Sequence, residues 1–359
     1  MFCSYLITLK SGDFSNKKNF REVTVDTDKF YRKPINQSLK IWSAPDVDGW
    51  SILIFQFFTE LQTRHVACTF KKEGVAIEYL EKFRSAPRKE EDGTSESRDD
   101  WHAVYTAIGK AIGRAGEFDK PPIKSKLIWL RGNFDEQIPI ASQFLRGSNS
   151  LRGESFIHIN QSNFASDAKG AALIDTSNDS EARCYNLMSV LALSCAYQAV
   201  LNDAIDSLAA VGDKAGGQAE QQIRRWSAFL ASYYFIEPVR ASTIELIDFY
   251  QSIQRRQRIS TQYAEVTEQL KIVAELAHIE RAEANASSTA KRSFWITFIG
   301  VIIATASIPQ CTPKAWVDFK STWLCNLLAY NCTAEPLLEI RPPNKDATLL
   351  KKPTKKETK

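Results

Sequence analysis

Apolar and polar positions are arranged in two different ways along this chain, and the change falls near residue 165. Before it, short apolar runs are bounded by polar segments. Tyr5 to Leu9, Arg21 to Val25, His65 to Phe70, Lys126 to Leu130 and Phe156 to Asn160 read as strands. Trp50 to Leu61 is a longer apolar run whose length favours a helix. Trp101 to Ile112 has helical spacing, and the polar stretch Ala86 to Asp100, with Pro87 and Gly93, reads as a surface loop. Asp46-x-Asp48-Gly49 has too few oxygen ligands for a calcium loop and reads as a turn. These elements predict an α+β or α/β body over residues 1–165.

Beyond residue 165 the pattern is almost wholly helical, predicting a helical bundle over 166–242. Leu187 to Ala210 is long enough for six turns, and Cys184 to Asn202 carries no charge. Ser189, Ser194, Gln198 and Asn202 dilute its apolar character, so Leu187 to Leu201 reads as a bundle helix rather than a membrane span. Gly216-Gly217 breaks the pattern, and Ala219 to Phe235 forms the next helix, closed by Pro238. A run without Gly or Pro then opens at Thr243 and ends near Lys291, predicting one long stalk helix over 243–292. Within it Ile259, Tyr263, Val266, Leu270, Val273 and Ala277 are spaced 4, 3, 4, 3 and 4. That is the seam of a coiled coil, and it equally suits an antiparallel helix packed inside one chain.

Residues 293–309 are the most informative segment. Ser293 to Pro313 holds no charged side chain, Lys291 and Arg292 stand directly before it, Trp295 suits an interface, and Pro309 stops the helix. Seventeen residues lie near the lower limit for crossing a bilayer core of about 30 Å. We expect a transmembrane helix there, followed by a short C-terminal segment and tail over 310–359. Arg281, Lys291 and Arg292 before the span against Lys314 and Lys320 after it give a three-to-two margin, and a strand-like Met1–Lys10 with the split of the cysteines places the N-terminus on the cytoplasmic side of the inner (plasma) membrane. Inside the span Ser293, Thr297, Gly300, Ala304 and Ser307 recur at 4, 3, 4 and 3. Lipid gives helices no hydrophobic reason to associate, so small residues on one face mark a helix–helix interface or the lining of a pore. This stripe falls one position before the continued frame of the 259–277 seam. A bend or unwinding in Ala284-Asn-Ala-Ser-Ser-Thr-Ala290, poor in strong helix formers, would correct the phase.

Composition adds three bounds. The net charge is +4. The last sixteen residues, with six Lys against Asp346 and Glu357, account for all of it, so the body is neutral and overall basicity does not argue for nucleic acid. Cys3, Cys68, Cys184 and Cys195 are scattered, as isolated buried thiols are in a reducing compartment, whereas Cys311, Cys325 and Cys332 crowd together beyond the span where an oxidising space would let two of them pair. His65, His102, His158 and His278 have no metal-ligand spacing, with His65 and His158 on strand-like runs, and no nucleophile elbow or phosphate-loop motif occurs. No catalytic residue, metal or cofactor is expected. Two local basic clusters, Arg224-Arg225-Trp226 and Arg255-Arg256 with Arg258, are candidates for an anionic ligand, the Arg beside Trp being able to clamp a phosphate or stack on a base.

The layout of a cytosolic body, a bundle, a very long helix and a span resembles the CorA-like membrane channels. The resemblance covers about Arg224 to Pro309 and is strongest along Ile236-Glu-Pro-Val-Arg-Ala-Ser-Thr-Ile-Glu-Leu246 and the stalk. The transporters of that family carry Gly-Met-Asn at the end of the first span, followed by a second span. This chain has only Met1 and Met188, and Ile308-Pro-Gln-Cys-Thr-Pro313 follows its span, so the resemblance extends to a channel layout and not to selective magnesium transport. The layout also resembles bacterial anti-phage membrane effectors of the Hailong type, which implies a body that senses a nucleotide or nucleic-acid ligand. The expected function is a homo-oligomeric membrane channel gated by its cytosolic body, and the alternative is a membrane-tethered scaffold or binding protein without a pore.

Overall fold

The computed structural model describes residues 2–9, 20–23, 31–58, 62–71, 74, 76–80, 98–113, 122–159, 162–175, 181–211, 218–240 and 244–307. The chain divides into two units, Met1–Ala282 and Glu283–Lys359.

The first unit is built on a nine-stranded sheet. Its strands are β1 (Phe2–Leu9), β2 (Arg21–Glu22), β3 (Lys40–Val47), β4 (Trp50–Phe57), β5 (Arg64–Lys71), β6 (Lys124–Arg131), β7 (Ile157–Ile159), β8 (Ser162–Asp167) and β9 (Gly170–Asp175), with a short helix α1 (Lys33–Ser38) before β3. The order across the sheet is β2-β3-β4-β5-β1-β6-β9-β8-β7, and β6 with β9 is the parallel pair in an otherwise antiparallel arrangement. The body is therefore a mixed α and β structure, as the sequence predicts.

Alternation along β1 explains the layers. Phe2 and Leu6 point to one face, while Cys3, Tyr5, Ile7 and Leu9 point to the other. The second face is covered by α2 (Arg98–Ile112) and α3 (Phe134–Arg146), through Val104, Ala107, Ile108, Ile140 and Phe144. The first face is covered by α4 (Glu181–Ala209), which lays Leu187, Met188, Leu191 and Cys195 on the sheet. Outside α4 pack α5 (Gln218–Tyr233), α6 (Ile244–Arg256) and the start of α7 (Ile259–Ser307). With both faces buried, central strands lose the half-polar alternation of an exposed sheet and read as continuous apolar runs.

That rule corrects one expectation. Trp50 to Leu61 does not form a helix: Trp50–Phe57 is strand β4, sending Trp50, Ile52 and Ile54 to one core and Phe55 and Phe57 to the other. Asp48 (φ 51°) and Gly49 (φ 76°) form the two-residue turn that joins it to β3. The change of character at residue 165 falls inside β8, and the sheet continues through β9, so the sheet and the helices that cover it belong to one unit up to Ala282. The single stalk helix expected over 243–292 is two helices. They part at Gln257 and Arg258, where Arg258 takes a left-handed conformation (φ 59°) that ends α6, and its carbonyl then accepts from Gln262 N at 3.0 Å as α7 starts.

Polar side chains tie the layers together. Asp175, wholly buried at the end of β9, accepts from Arg183 of α4 at 2.8 Å, and the same guanidinium pairs with Glu245 of α6. Among the outer helices, Tyr197 of α4 donates to the Tyr233 carbonyl at 2.6 Å, and Tyr31 shares a 2.7 Å hydrogen bond with Ser189. Burial pushes the hydroxyls of Tyr31, Tyr197 and Tyr250 well above the usual tyrosine range.

Candidate functional site

The helix α7 is helical throughout its 49 residues, so the chain does not unwind over 284–290. Its first five turns have one buried face. Ile259 and Val266 are fully buried, and Leu270, Val273 and Ala277 nearly so. Tyr263 stacks on Tyr234 with centroids 4.2 Å apart and planes 5° from parallel. On the same turns Gln262 Nε2 donates to Asn202 Oδ1 of α4 at 2.6 Å, and Arg281 pairs with Glu220 of α5. The 3–4 seam read from the sequence is thus occupied inside one chain, which decides between the two uses that the spacing allowed.

A second apolar set on this helix has no cover. Ile272, Leu276 and Ile279 are 50%, 48% and 53% exposed. From His278 to Ile302 every side chain is exposed, and through the candidate span Phe294, Trp295, Ile296, Phe298, Ile299, Val301 and Ile302 lie between 47% and 73% exposed. These residues surround the helix on every side except the stripe of Ser293, Thr297 and Gly300. A helix that is apolar nearly all round belongs in a protein core or in lipid. Thr297 Oγ1 donates to the Ser293 carbonyl at 2.9 Å, so its hydroxyl is satisfied within its own helix. Ala304 and Ser307 belong to the helical backbone but their side chains are outside the described set, and Pro309, Cys311, Cys325, Cys332 and the Lys-rich tail lie outside the described residues.

Among the described residues one helix is long and apolar enough to cross a membrane, and it is α4 over Arg183–Ala209, not the described part of α7; 78% of the most apolar stretch of α4 is buried inside the body. Leu187 to Leu201 is core, packed between the sheet and the outer helices.

The arginine clusters differ from the picture of an open anionic site. Trp226 is buried, and its Nε1 donates to Ser207 Oγ at 2.9 Å, which removes its ring as a stacking platform. Arg225 lies over that ring, 5.0 Å from its centroid, at a cavity of about 370 Å³ lined also by Asp203, Asp206 and Ser207. Arg64 pairs with Asp203, so two arginines face two carboxylates there and no positive excess is focused. Arg224 is exposed. Arg255, Arg256 and Arg258 are exposed at the α6–α7 break, where the left-handed turn rather than a ligand accounts for Arg258.

A different basic group went unread in the sequence. Lys71 sits over Trp50 (4.2 Å) and Tyr79 (5.2 Å), Lys124 over Trp101 (5.2 Å) and Tyr105 (4.9 Å), and Lys126 over Tyr5 (5.5 Å) and Phe144 (5.3 Å). Each ammonium is attracted to the negative face of a ring. The sheet register makes the arrangement, since Tyr5 of β1 stands opposite Lys126 of β6. Lys124 is exposed and Trp101 and Tyr105 are half-buried, so this end of the cluster meets solvent. The available signal was Lys124 and Lys126 two positions apart, on one face of the strand Lys124–Arg131, which needs the pairing partner before it means anything.

Among the described residues no three His, Cys, Asp or Glu side chains are grouped so as to hold a metal ion. His158 contacts Asn163 Oδ1 at 3.2 Å on an edge hairpin, and His65 is buried with Nε2 3.4 Å from Gln56 Oε1, each in the setting expected for a strand histidine. Cys3, Cys68, Cys184 and Cys195 are all buried, and burial pushes the Cys195 thiol up to about 12, which keeps it un-ionised and unreactive at neutral pH.

No protein-family model matches the chain, and neither the curated proteins nor the solved structures contain a significant match to it.

Proposed function

We propose that this chain is a single-pass membrane protein of the inner (plasma) membrane which assembles with copies of itself, its N-terminal body cytoplasmic and regulating a conduit formed by the α7 spans. One observation carries the reading: the apolar side chains of α7 from Phe294 to Ile302 are exposed all round the helix. Water would not tolerate that surface on an isolated helix, whereas a bilayer takes it as solvent. The stripe of Ser293, Thr297, Gly300, Ala304 and Ser307 then lets copies approach closely, and in a ring of copies Thr297 and Ser307 face the axis. Regulation requires a ligand with different affinities for two arrangements of the body. The solvent-facing end of the lysine–aromatic cluster, Lys124 with Trp101 and Tyr105, is the part of the body best suited to an anionic ligand that carries a ring, such as a nucleotide.

The test is conductance of the purified full chain in planar bilayers. The proposal predicts discrete currents that change when Thr297 and Ser307 are both replaced by leucine. Protein that stays in the aqueous fraction without detergent removes the membrane reading altogether. A second reading, a tether without a conduit, is favoured by the internally satisfied Thr297 hydroxyl, which needs no water. It predicts no current, and function retained when residues 293–309 are exchanged for an unrelated monomeric span.

A further inference from the structure

We infer that the cavity between α4 and α5 binds a small zwitterion, a free molecule that carries both an ammonium and a carboxylate, as an amino acid does. The cavity holds about 370 Å³ and is lined by Asp203, Asp206 and Ser207 of α4 and by Arg225 and Trp226 of α5. That volume is within the range of small-molecule sites. Asp203, Asp206 and Ser207 are spaced 3 and 1 apart, which brings all three to one side of α4. The charge of Asp203 is already used, because Arg64, buried at the start of β5, pairs with it. Ser207 Oγ is also engaged, donating to the Ala204 carbonyl at 3.1 Å and accepting from Trp226. Asp206 and Arg225 remain. Among the described residues neither forms an ion pair, with the other or with any third side chain, although both line this one cavity. Arg225 is nonetheless held in place, since its guanidinium lies over the buried Trp226 ring at 5.0 Å.

Charge balance selects the ligand. A simple anion gains from Arg225 and is repelled by Asp206, and a simple cation meets the converse. A molecule with both charges sets each against its opposite. The planar guanidinium of Arg225 offers paired N–H donors that match a carboxylate, and the Asp206 carboxylate accepts from an ammonium. An α-amino acid and a longer amino acid with its two charges further apart share this chemistry and differ in the span they bridge. The cavity also adjoins the hold of the body on α7. Asn202, next to Asp203, accepts from Gln262 of α7 at 2.6 Å, and Glu220 of α5 pairs with Arg281 of α7. An occupant that bridges α4 and α5 therefore ties together the two helices that grip the body end of α7, which is where a regulatory ligand has leverage. The inference concerns the body alone and does not depend on α7 entering lipid.

The test is thermal melting of the full chain in mild detergent with the common α-amino acids, β-alanine, 4-aminobutanoate, methylamine or acetate at millimolar concentration. Calorimetric titration follows with the compound that raises the melting temperature most. At least one amino acid is expected to stabilise the chain saturably, and acetate and methylamine are each expected to bind about tenfold more weakly or worse. Arg225→Gln and Asp206→Asn should each weaken binding by about tenfold or more, the loss of one charged hydrogen-bonding partner. Both side chains are exposed, so each ligand-free variant should melt with the parent, and Lys124→Ala should leave the affinity within about twofold. Preference for an α-amino acid, or for β-alanine or 4-aminobutanoate, supports the inference and fixes the span. A panel without a stabilising compound, acetate or methylamine acting as strongly as any amino acid, or binding that survives both substitutions would each overturn it. So would a melting temperature lowered by Asp206→Asn with no response to any compound, because Asp206 and Arg225 then pair with each other. Binding without conductance keeps this site and discards the conduit, whereas conductance without binding discards the site alone.

Discussion

Two isoleucines on one helix, twenty residues apart, should respond in opposite ways to the same truncation. Ile259 is fully buried against the body, and Ile279 is 53% exposed. Ile259→Ala removes three carbons from a packed site, a transfer loss of ~2.4 kcal/mol before any cavity contribution, and buried Ile→Ala changes cost about 2–5 kcal/mol. At roughly 2 °C per kcal/mol for a unit of this size, its melting temperature falls by about 4–10 °C. Ile279→Ala gives up about half that transfer term in a lone chain, and the higher helix propensity of alanine returns part of it, so the body melts within about 2 °C of the parent. Where neighbouring copies pack on this face the same carbons are covered, and each contact then weakens by about 1 kcal/mol or more, which is at least fivefold in its dissociation constant. The assay pairs thermal melting by near-ultraviolet circular dichroism with light-scattering mass, both on the full chain in mild detergent at two protein concentrations. A decrease that vanishes on dilution belongs to assembly, and one that persists belongs to the body. The reasoning fails if Ile279→Ala melts the body as severely as Ile259→Ala, or if Ile259→Ala dissociates complexes while leaving melting unchanged.

Four further outcomes are expected. Arg183→Leu takes the guanidinium from the wholly buried Asp175 carboxylate and costs about 3–5 kcal/mol in urea unfolding, and adding Asp175→Asn recovers a good part of it, since the loss comes from a buried charge deprived of its cation. The Cys195 thiol, raised from 9.0 to about 12 by burial, keeps its proton in the folded body where the unfolded chain has lost it; its contribution is complete below pH 9 and is lost between pH 9 and 12, so Cys195→Ala should make stability fall less steeply across that window. Glu283 lies on the 3–4 spacing of the Ser293, Thr297 and Gly300 stripe continued towards the body, so under the proposed assembly Glu283→Gln should strengthen association measured by complex mass, and in a conducting assembly it should reduce cation preference in reversal-potential measurements. Calorimetric titration with nucleoside triphosphates should give binding that Lys124→Ala weakens at least tenfold and that Arg224→Ala leaves within twofold.

How much of this could be read beforehand depended on whether one residue's neighbours in sequence were also its neighbours in function. Strands β1, β5 and β6 were legible because their apolar runs are short and sharply bounded. Trp50–Phe57 was not, since a strand buried on both faces and a buried helix give the same composition, and the run's length outweighed the Asp48-Gly49 turn at its start. Helix α3 announces itself through Asn133 at its start and Gly147 (φ 70°) at its end, but Pro139 inside it obscures the pattern. The 3–4 seam of α7 was legible as spacing, and its partner was not, because a coiled-coil face and an intrachain packing face obey the same periodicity. The lysine–aromatic cluster could not be found at all without the pairing of Tyr5 with Lys126, which joins residues 121 positions apart.

The two frames of α7 also explain why a phase difference that looks like a defect is useful. At 3.6 residues per turn, a shift of one position rotates a side chain by about 100° around the helix. A face rotated by that angle from one packed on α4 and α5 can stay clear of the body, and Ile272, Leu276 and Ile279 do remain about half exposed. Had both seams shared one frame, the body and the neighbouring copies would compete for the same side chains, and binding one would displace the other. Under the proposed assembly, offset frames leave the body and a neighbouring copy different side chains of α7 to hold. A simple tether needs no second apolar face, since a polar surface at 272, 276 and 279 would anchor the body equally well and keep it more soluble.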